Sequence, residues 1–416
     1  MYSPHSRVSA LITTIEPIDG GVPTMTKWIC DVLRELNIIP ILSWYTPWRN
    51  KPELSVPLYK TFSHKPGYVE QVAFAEYKGY GLGSRFPEFE FTHYMYNQKW
   101  KSLIASCQLH ISVTGNVLSA SPFHRHQVPF LAWVATPWEA DRINRSHTFS
   151  LARRALDSLV NQPISSKLEK SILKSRYGKI IALSKYTANE LSNLSQKSIS
   201  DIMLMPIDTS VFSCEHSRTK ILRVGFSGRY CDPRKNISLL LEAVMLVKQS
   251  GYDIELVLVG EKDYRDIRPL VDFYGLNDCI QLYAHMASSE LALLIQSFDL
   301  FVIPSHQEGL CIAALEAMAC GIPVISTRCG GPEEYVISGE TGELVDSNSS
   351  ELSRMILEIS TNRARRQSLA QGASLWVLRN ASQHSSRNII KRNLIELAKK
   401  RADPDLSSLI YQLESL

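Results

Sequence analysis

Runs of β-branched and aliphatic residues alternate with helical patterns from one end of this chain to the other. That alternation leaves few architectures open. Strand-like runs lie at residues 8–15, 38–45, 108–113, 128–135, 179–183 and 202–205, with helical patterns between several of them, such as 24–36 and 186–194. A polar, structure-poor stretch at 208–220 interrupts the series. It then restarts, with strands at 222–227, 254–259, 280–283, 300–303 and 323–327 and helices at 237–249, 288–296 and 310–320. Near-continuous apolar strands joined through helices make parallel sheets covered on both faces. The prediction is an α/β protein with two tandem Rossmann-like domains, at 1–210 and 218–375, and a helical tail at 376–416 that packs back on the first domain. A ligand crevice is expected between the domains, at the carboxyl ends of the strands.

At 416 residues the chain is long enough for two or three domains, each with its own core. An apolar fraction of 44% and a charged fraction of 21% are those of an ordinary soluble protein. The formal net charge of +4 is too mild to argue for nucleic acid. The eight cysteines form no C-x-x-C pair and mostly sit in apolar stretches, so they read as reduced, buried thiols without zinc-ligand spacing. No run reaches the roughly 18 apolar residues that span a bilayer, and the expected location is the cytoplasm, free or peripheral to a membrane.

Four clusters fall where strands end. Asp19-Gly20-Gly21-Val22-Pro23 follows the first strand and opens a helix, so a ligand can approach its backbone; a plain tight turn is the other reading. The dinucleotide fingerprint G-x-G-x-x-G is absent, which argues against a nicotinamide enzyme. Gly228-Arg229-Tyr230-Cys231-Asp232-Pro233-Arg234-Lys235-Asn236 puts three cations at the end of a second-domain strand. A group leaving as a diphosphate needs such charge, although most charge runs are solvated loops. Third comes Glu308, in a polar turn, and eight positions later Glu316, inside the apolar helix Ile312-Ala313-Ala314-Leu315-Glu316-Ala317-Met318-Ala319-Cys320. An unpaired carboxylate there is costly, so Glu316 should face a polar partner. Glu308 can accept hydrogen bonds from sugar hydroxyls, or merely complement a helix dipole. Gly330-Gly331-Pro332-Glu333-Glu334 is the fourth cluster, a glycine turn with acids in a first helical turn.

Other features read more blandly. Gly79-Tyr80-Gly81-Leu82-Gly83 follows no apolar strand and is taken as a surface loop. His124 and His126 read as solvated. Lys167, Lys170 and Lys174, with Arg153, Arg154, Arg176 and Lys179 nearby, read first as a solvated face and second as a contact for anionic lipid.

Phe298-Asp299-Leu300-Phe301-Val302-Ile303-Pro304-Ser305, then Glu308, seven residues, Glu316, and Gly321-Ile322-Pro323-Val324-Ile325 form a long ordered pattern, with Gly330-Gly331 and Thr341-Gly342 in register. It resembles the retaining glycosyltransferases of family 4, which have the two-domain GT-B fold, most specifically over residues 225–345. The resemblance implies that Arg229 and Lys235 bind the donor diphosphate, that Glu308 touches the transferred sugar and that Glu316 holds the nucleoside ribose. It implies phosphate contacts from backbone N–H groups beside Gly309, at Leu310 and Cys311, with Gly20 and Gly21 approaching from the first domain. The base would lie near Gly260 and His285-Met286. No metal or other cofactor is implied beyond the nucleoside-diphosphate sugar itself. Two departures stand out. Cys311 occupies a position where many relatives carry glycine. The histidine that many relatives place near Trp138 to contact the donor sugar is absent, so Trp138, Glu139 or Asp141, on the acceptor-side domain, would take over part of that role.

The expected reaction is hexose transfer from a nucleoside-diphosphate sugar to a hydroxyl on a glycan, polysaccharide or lipid-linked acceptor, with retention. A phosphorylase or sucrose-type synthase of the same fold is a rival, and so is a non-catalytic nucleotide-sugar binder.

Overall fold

β1 (Ser9–Thr14), β5 (Leu109–Thr114) and β6 (Phe130–Val134) are buried at every position, the condition of strands covered on both faces. They form the middle of the first of two sheets in the computed structural model, which describes residues 8–16, 21–60, 64–73, 77–95, 97–140, 142, 150–214, 221–260, 263–401 and 403–415. Adding β2 (Ile39–Tyr45), β3 (Tyr68–Ala73), β4 (Tyr77–Leu82) and β7 (Gly178–Ala182), the order is β3-β4-β2-β1-β5-β6-β7. All neighbours are parallel except β3 and β4, an antiparallel edge pair.

Two expectations fail here. Residues 202–205 make no strand; only Ile202 bridges to Ala182, because Pro206 follows and has no N–H to extend a ladder. Gly79-Tyr80-Gly81 is no surface loop but the core of β4, wedged between β2 and β3. Gly81 answers to packing: a Cβ there would stand 2.4 Å from Thr46 Oγ1.

The second sheet comprises β8 (Leu222–Ser227), β9 (Ile254–Gly260), β10 (Ile280–Ala284), β11 (Leu300–Ile303), β12 (Val324–Thr327) and β13 (Gly342–Val345), ordered β10-β9-β8-β11-β12-β13. Every pair is parallel. The chain builds outward from β8 in one direction, then crosses back to start β11 on the other side of β8. The carboxyl ends of β8 and β11 are therefore a topological switch point, where open α/β sheets leave a crevice. Helix Ile237–Gln249 buries Leu240, Leu241, Val244 and Val247 with Leu256, Leu258, Ile356 and Ile359, which fixes the first strand–helix unit of this sheet.

The chain divides into two units, Met1–Met203 with Arg387–Leu416, and Leu204–Ser386. The divisions fall earlier than 210 and later than 376. The returning segment is tied into the first unit by ion pairs: Arg392 to Asp201 at 3.0 Å, Arg387 to Glu35, and Lys179 to Glu396. Among the described residues no helix is long and apolar enough to cross a membrane.

Candidate functional site

The site is built where β8 and β11 end. At the end of β8, Gly228 has φ +149° and donates its N–H to Val259 O at 2.9 Å. Gly260, with φ +142°, lies so close that a Cβ would come within 2.3 Å of Gly228 O. Position 228 thus needs glycine for its dihedral, and position 260 for both its dihedral and its close packing. The next turn is organised by Asp232, which caps the 3-10 helix Pro233–Lys235 by accepting from Arg234 N at 3.1 Å. Asp232 also accepts from the Arg234 guanidinium at 3.0 Å. Of the three cations in this run, Arg234 is therefore buried and held within its own loop. Arg229, 55% exposed, stands 3.3 Å from Asp232. Lys235, only 15% exposed, turns inward and donates to Glu308 Oε1 at 2.6 Å.

Glu308 comes from the turn after β11. Its carboxylate accepts from Lys235 and from Ser305 Oγ at 2.7 Å, both at Oε1; among the described residues Oε2 accepts no hydrogen bond. The backbone is fixed from both sides, with Glu308 N donating to Cys329 O at 2.7 Å and Gly331 N to Glu308 O at 2.9 Å. Burial, the largest single influence, would lower the Lys235 pKa, but the charges of Glu308 and Cys311 and the hydrogen bond to Glu308 together outweigh it and the pKa rises. The pair is thus a nearly dry ammonium–carboxylate contact between the two strand ends at the switch point, reinforced by His306 N donating to Arg234 O at 2.8 Å.

Helix Ile312–Ala319 starts two residues later than the pattern suggested, because Cys311 takes φ +62° and ends the turn in a left-handed conformation. Tyr335, fully buried, clamps that turn by donating to Leu310 O at 2.5 Å, with Cys311 O at 3.2 Å. Gly331 closes on it from behind, where a Cβ would lie 2.2 Å from Gly309 O. Among the described residues no protein acceptor takes the N–H groups of Leu310 and Cys311. They open a helix amino terminus, which favours an anion.

Glu316 sits in this helix, half-buried. The expected polar partner is missing: among the described residues its carboxylate makes no hydrogen bond or ion pair. Burial pushes its pKa up to about 7. A group so placed needs a ligand, or a proton, to satisfy it.

The remaining candidates lie variously. Gly260 ends β9, as described, and His285, exposed, and Met286, partly buried, follow β10. Gly21, exposed, is the first residue of helix Gly21–Glu35, whereas Gly20 and Asp141 fall outside the described residues. Trp138 is not an open sugar-contacting ring. It is 1% exposed, its indole N–H donates to Glu90 at 2.9 Å, its backbone N–H donates to Glu169 at 2.9 Å, and the Arg142 guanidinium covers it at 4.7 Å. Glu139 is exposed and accepts from Gln162 at 3.3 Å. Glu333 accepts from Gly330 N at 3.0 Å, a local cap. Two cysteines, Cys214 and Cys231, are exposed rather than buried. Among the described residues no group of three or more His, Cys, Asp or Glu side chains gathers as metal ligands would. Sequence reasoning gave no role to Ser305, which holds Glu308 three residues on, or to Tyr335, whose partner lies 25 residues back in the chain where no local pattern marks it.

Residues 215–376 match the family described as glycosyl transferases group 1. Among curated proteins the chain is 28% identical over 230 residues to D-inositol 3-phosphate glycosyltransferase of Arthrobacter sp. (strain FB24), covering 51% of this chain and 54% of the relative. It is 32% identical over 196 residues to an uncharacterized glycosyltransferase of Methanocaldococcus jannaschii, covering 46% and 52%. The chain thus spans about half the length of the curated relatives it matches. Among solved structures it resembles sucrose-phosphate synthase of Thermosynechococcus elongatus, with a TM-score of 0.72 at 18% identity over 94% of this chain and 99% of that one. Anabaena HepE in complex with UDP-glucose aligns with a TM-score of 0.65 at 16% identity, over 93% and 99%. At these identities the likeness establishes the fold, two Rossmann-like α/β units.

Proposed function

We propose that the protein is a retaining glycosyltransferase, moving a hexose from a nucleoside-diphosphate sugar to a hydroxyl of a carbohydrate or lipid-linked acceptor. The observation that carries this reading is the Lys235–Glu308 pair at the β8/β11 switch point, beside a helix amino terminus with unpaired N–H groups. A diphosphate leaving group suits that arrangement, since Lys235 and Arg229 supply positive charge and Leu310 and Cys311 supply N–H donors. Glu308, with one carboxylate oxygen taking no hydrogen bond, suits the hydroxyls of the transferred sugar. Glu316, an acceptor without a protein partner, suits the two hydroxyls of a ribose. The group 1 match over residues 215–376 covers all of these side chains and supports the same reading.

In this scheme the bond from the anomeric carbon to the diphosphate oxygen breaks as the acceptor oxygen bonds to that carbon on the same face. The acceptor's proton passes to the departing diphosphate oxygen, so no protein nucleophile is required. Charge stabilisation and positioning carry the rate. The test is transfer and donor hydrolysis with a panel of UDP- and GDP-sugars, in wild type and Lys235→Ala. The substitution should lower turnover at least ~100-fold, the effect of losing one oxyanion donor. Near-normal turnover in Lys235→Ala would sink the assignment, and nucleotide binding with no turnover of any donor would identify a sensor instead.

A further inference from the structure

The first unit holds a cavity of about 600 Å³ that the reaction scheme does not use. It lies at the amino ends of β6 and β7, where Arg125 and Gln127 precede Phe130 and where Ser175, Arg176 and Tyr177 precede Gly178. Ligand crevices for chemistry in parallel sheets form at the opposite, carboxyl ends. Its charge is one-sided: Arg125, Lys174 and Arg176 line it, and among the described residues no Asp or Glu does.

These cations are ordered without being consumed. Arg125 donates one N–H to Met95 O at 2.9 Å. Arg176 donates one to the Tyr177 hydroxyl at 2.6 Å and stacks on that ring at 4.8 Å. The rest of each fork is left for a ligand. The Lys174 ammonium has no protein acceptor among the described residues. Lys400 adds charge behind the wall by donating to Arg176 O; burial, and then the charges of Lys197 and Lys179, hold its pKa down. His124, read from sequence as solvated, is instead half-buried in the cavity wall. Its Nε2 lies 3.0 Å from Ser171 Oγ, while Nδ1 is buried with no partner. A buried polar atom of that kind calls for a ligand or water.

We propose that this cavity binds the phosphate of a phosphomonoester, with its organic body against Leu168, Met95 and the Tyr177 ring. Three cations match the charge of about −1.5 to −2 on such a group, and the volume lies within the roughly 300–1,000 Å³ of small-molecule sites, far beyond a bare ion. A soluble sugar or polyol phosphate and a lipid phosphate headgroup present the same chemistry. The source is decided by calorimetric titration of the full chain with glycerol 3-phosphate and by co-sedimentation with phosphatidylcholine vesicles, with and without phosphatidic acid. Saturable binding to either probe is expected. It should weaken at least ~10-fold in the Arg125→Gln, Arg176→Gln double variant, the loss expected for charged hydrogen bonds. Binding of glycerol 3-phosphate assigns a soluble ligand; capture by phosphatidic acid vesicles alone assigns a lipid. Lys174→Gln, at an exposed position, gives the same reading should the double variant lose its fold. The proposal is overturned if neither probe binds, or if both variants bind as wild type does.

Discussion

Replacing Glu316 by Gln should make the unliganded protein more stable and the nucleotide complex weaker. The carboxylate lies half-buried in helix Ile312–Ala319 with no partner among the described residues, and burial raises its pKa from 4.5 to about 7. At about 1.4 kcal/mol per pH unit, that difference amounts to about 3 kcal/mol once the group is ionised in both states. Partial contact with solvent trims it to about 1–3 kcal/mol. The sign follows from proton counts. Between pH 4.5 and about 7 the folded chain binds more protons at this site than the unfolded chain. Wild-type stability therefore falls relative to the variant as pH rises through that window, and the gap stays constant above it. Below pH 4.5 the protonated Glu and the Gln are near equivalents and the gap should close. Thermal unfolding of both proteins across this range reads it directly, with roughly 2–4 °C of Tm per kcal/mol. Adding UDP or GDP at neutral pH should then reverse the order, because a ligand bound to the folded state raises Tm by mass action and the Gln variant binds it less well. A Tm gap that is independent of pH, or a variant less stable than wild type above neutrality, would refute the unpaired carboxylate. Equal nucleotide stabilisation in both proteins would refute the ribose role.

Tyr335→Phe removes the clamp on the Leu310 and Cys311 carbonyls. It should cost about 1–3 kcal/mol in denaturant unfolding and weaken nucleotide binding in calorimetry; unchanged binding would separate the turn's geometry from its anion affinity. Arg229→Ala, at an exposed position, should leave the unfolding free energy within ~0.5 kcal/mol of wild type while raising the donor KM, and an unchanged KM would remove Arg229 from the site. Trp138→Phe deletes the indole N–H held by Glu90. It should lower Tm and leave nucleotide-induced stabilisation as in wild type, whereas loss of that stabilisation with an intact Tm would contradict a packing role.

Much of the second unit was legible because its signals are local. The apolar run 222–227 and the amphipathic stretch 237–249 became β8 and helix Ile237–Gln249 residue for residue, since burial on both faces of a strand and one face of a helix writes itself into the pattern. The pair β3–β4 was illegible because β4 alternates glycine with tyrosine and lysine. Gly81 leaves room for Thr46, and Gly83, just past the strand, for Leu54, both from elsewhere in the chain. Trp138 misled for a similar reason: a tryptophan after a strand looks available until Glu90 and Arg142 close over it.

By itself the sequence determined the fold class, the strand ends that carry polar clusters, and the residues Lys235, Glu308 and Glu316 as candidates. Periodicity, glycine and charge are all properties of short windows. Only the tertiary structure decided which partner each cation takes. Asp232 keeps Arg234 in its own loop, while Lys235 meets a carboxylate 73 residues away. That contact exists because strand order places β8 beside β11, and adjacency across a sheet is fixed by how helices pack on its faces, which no single window of sequence records.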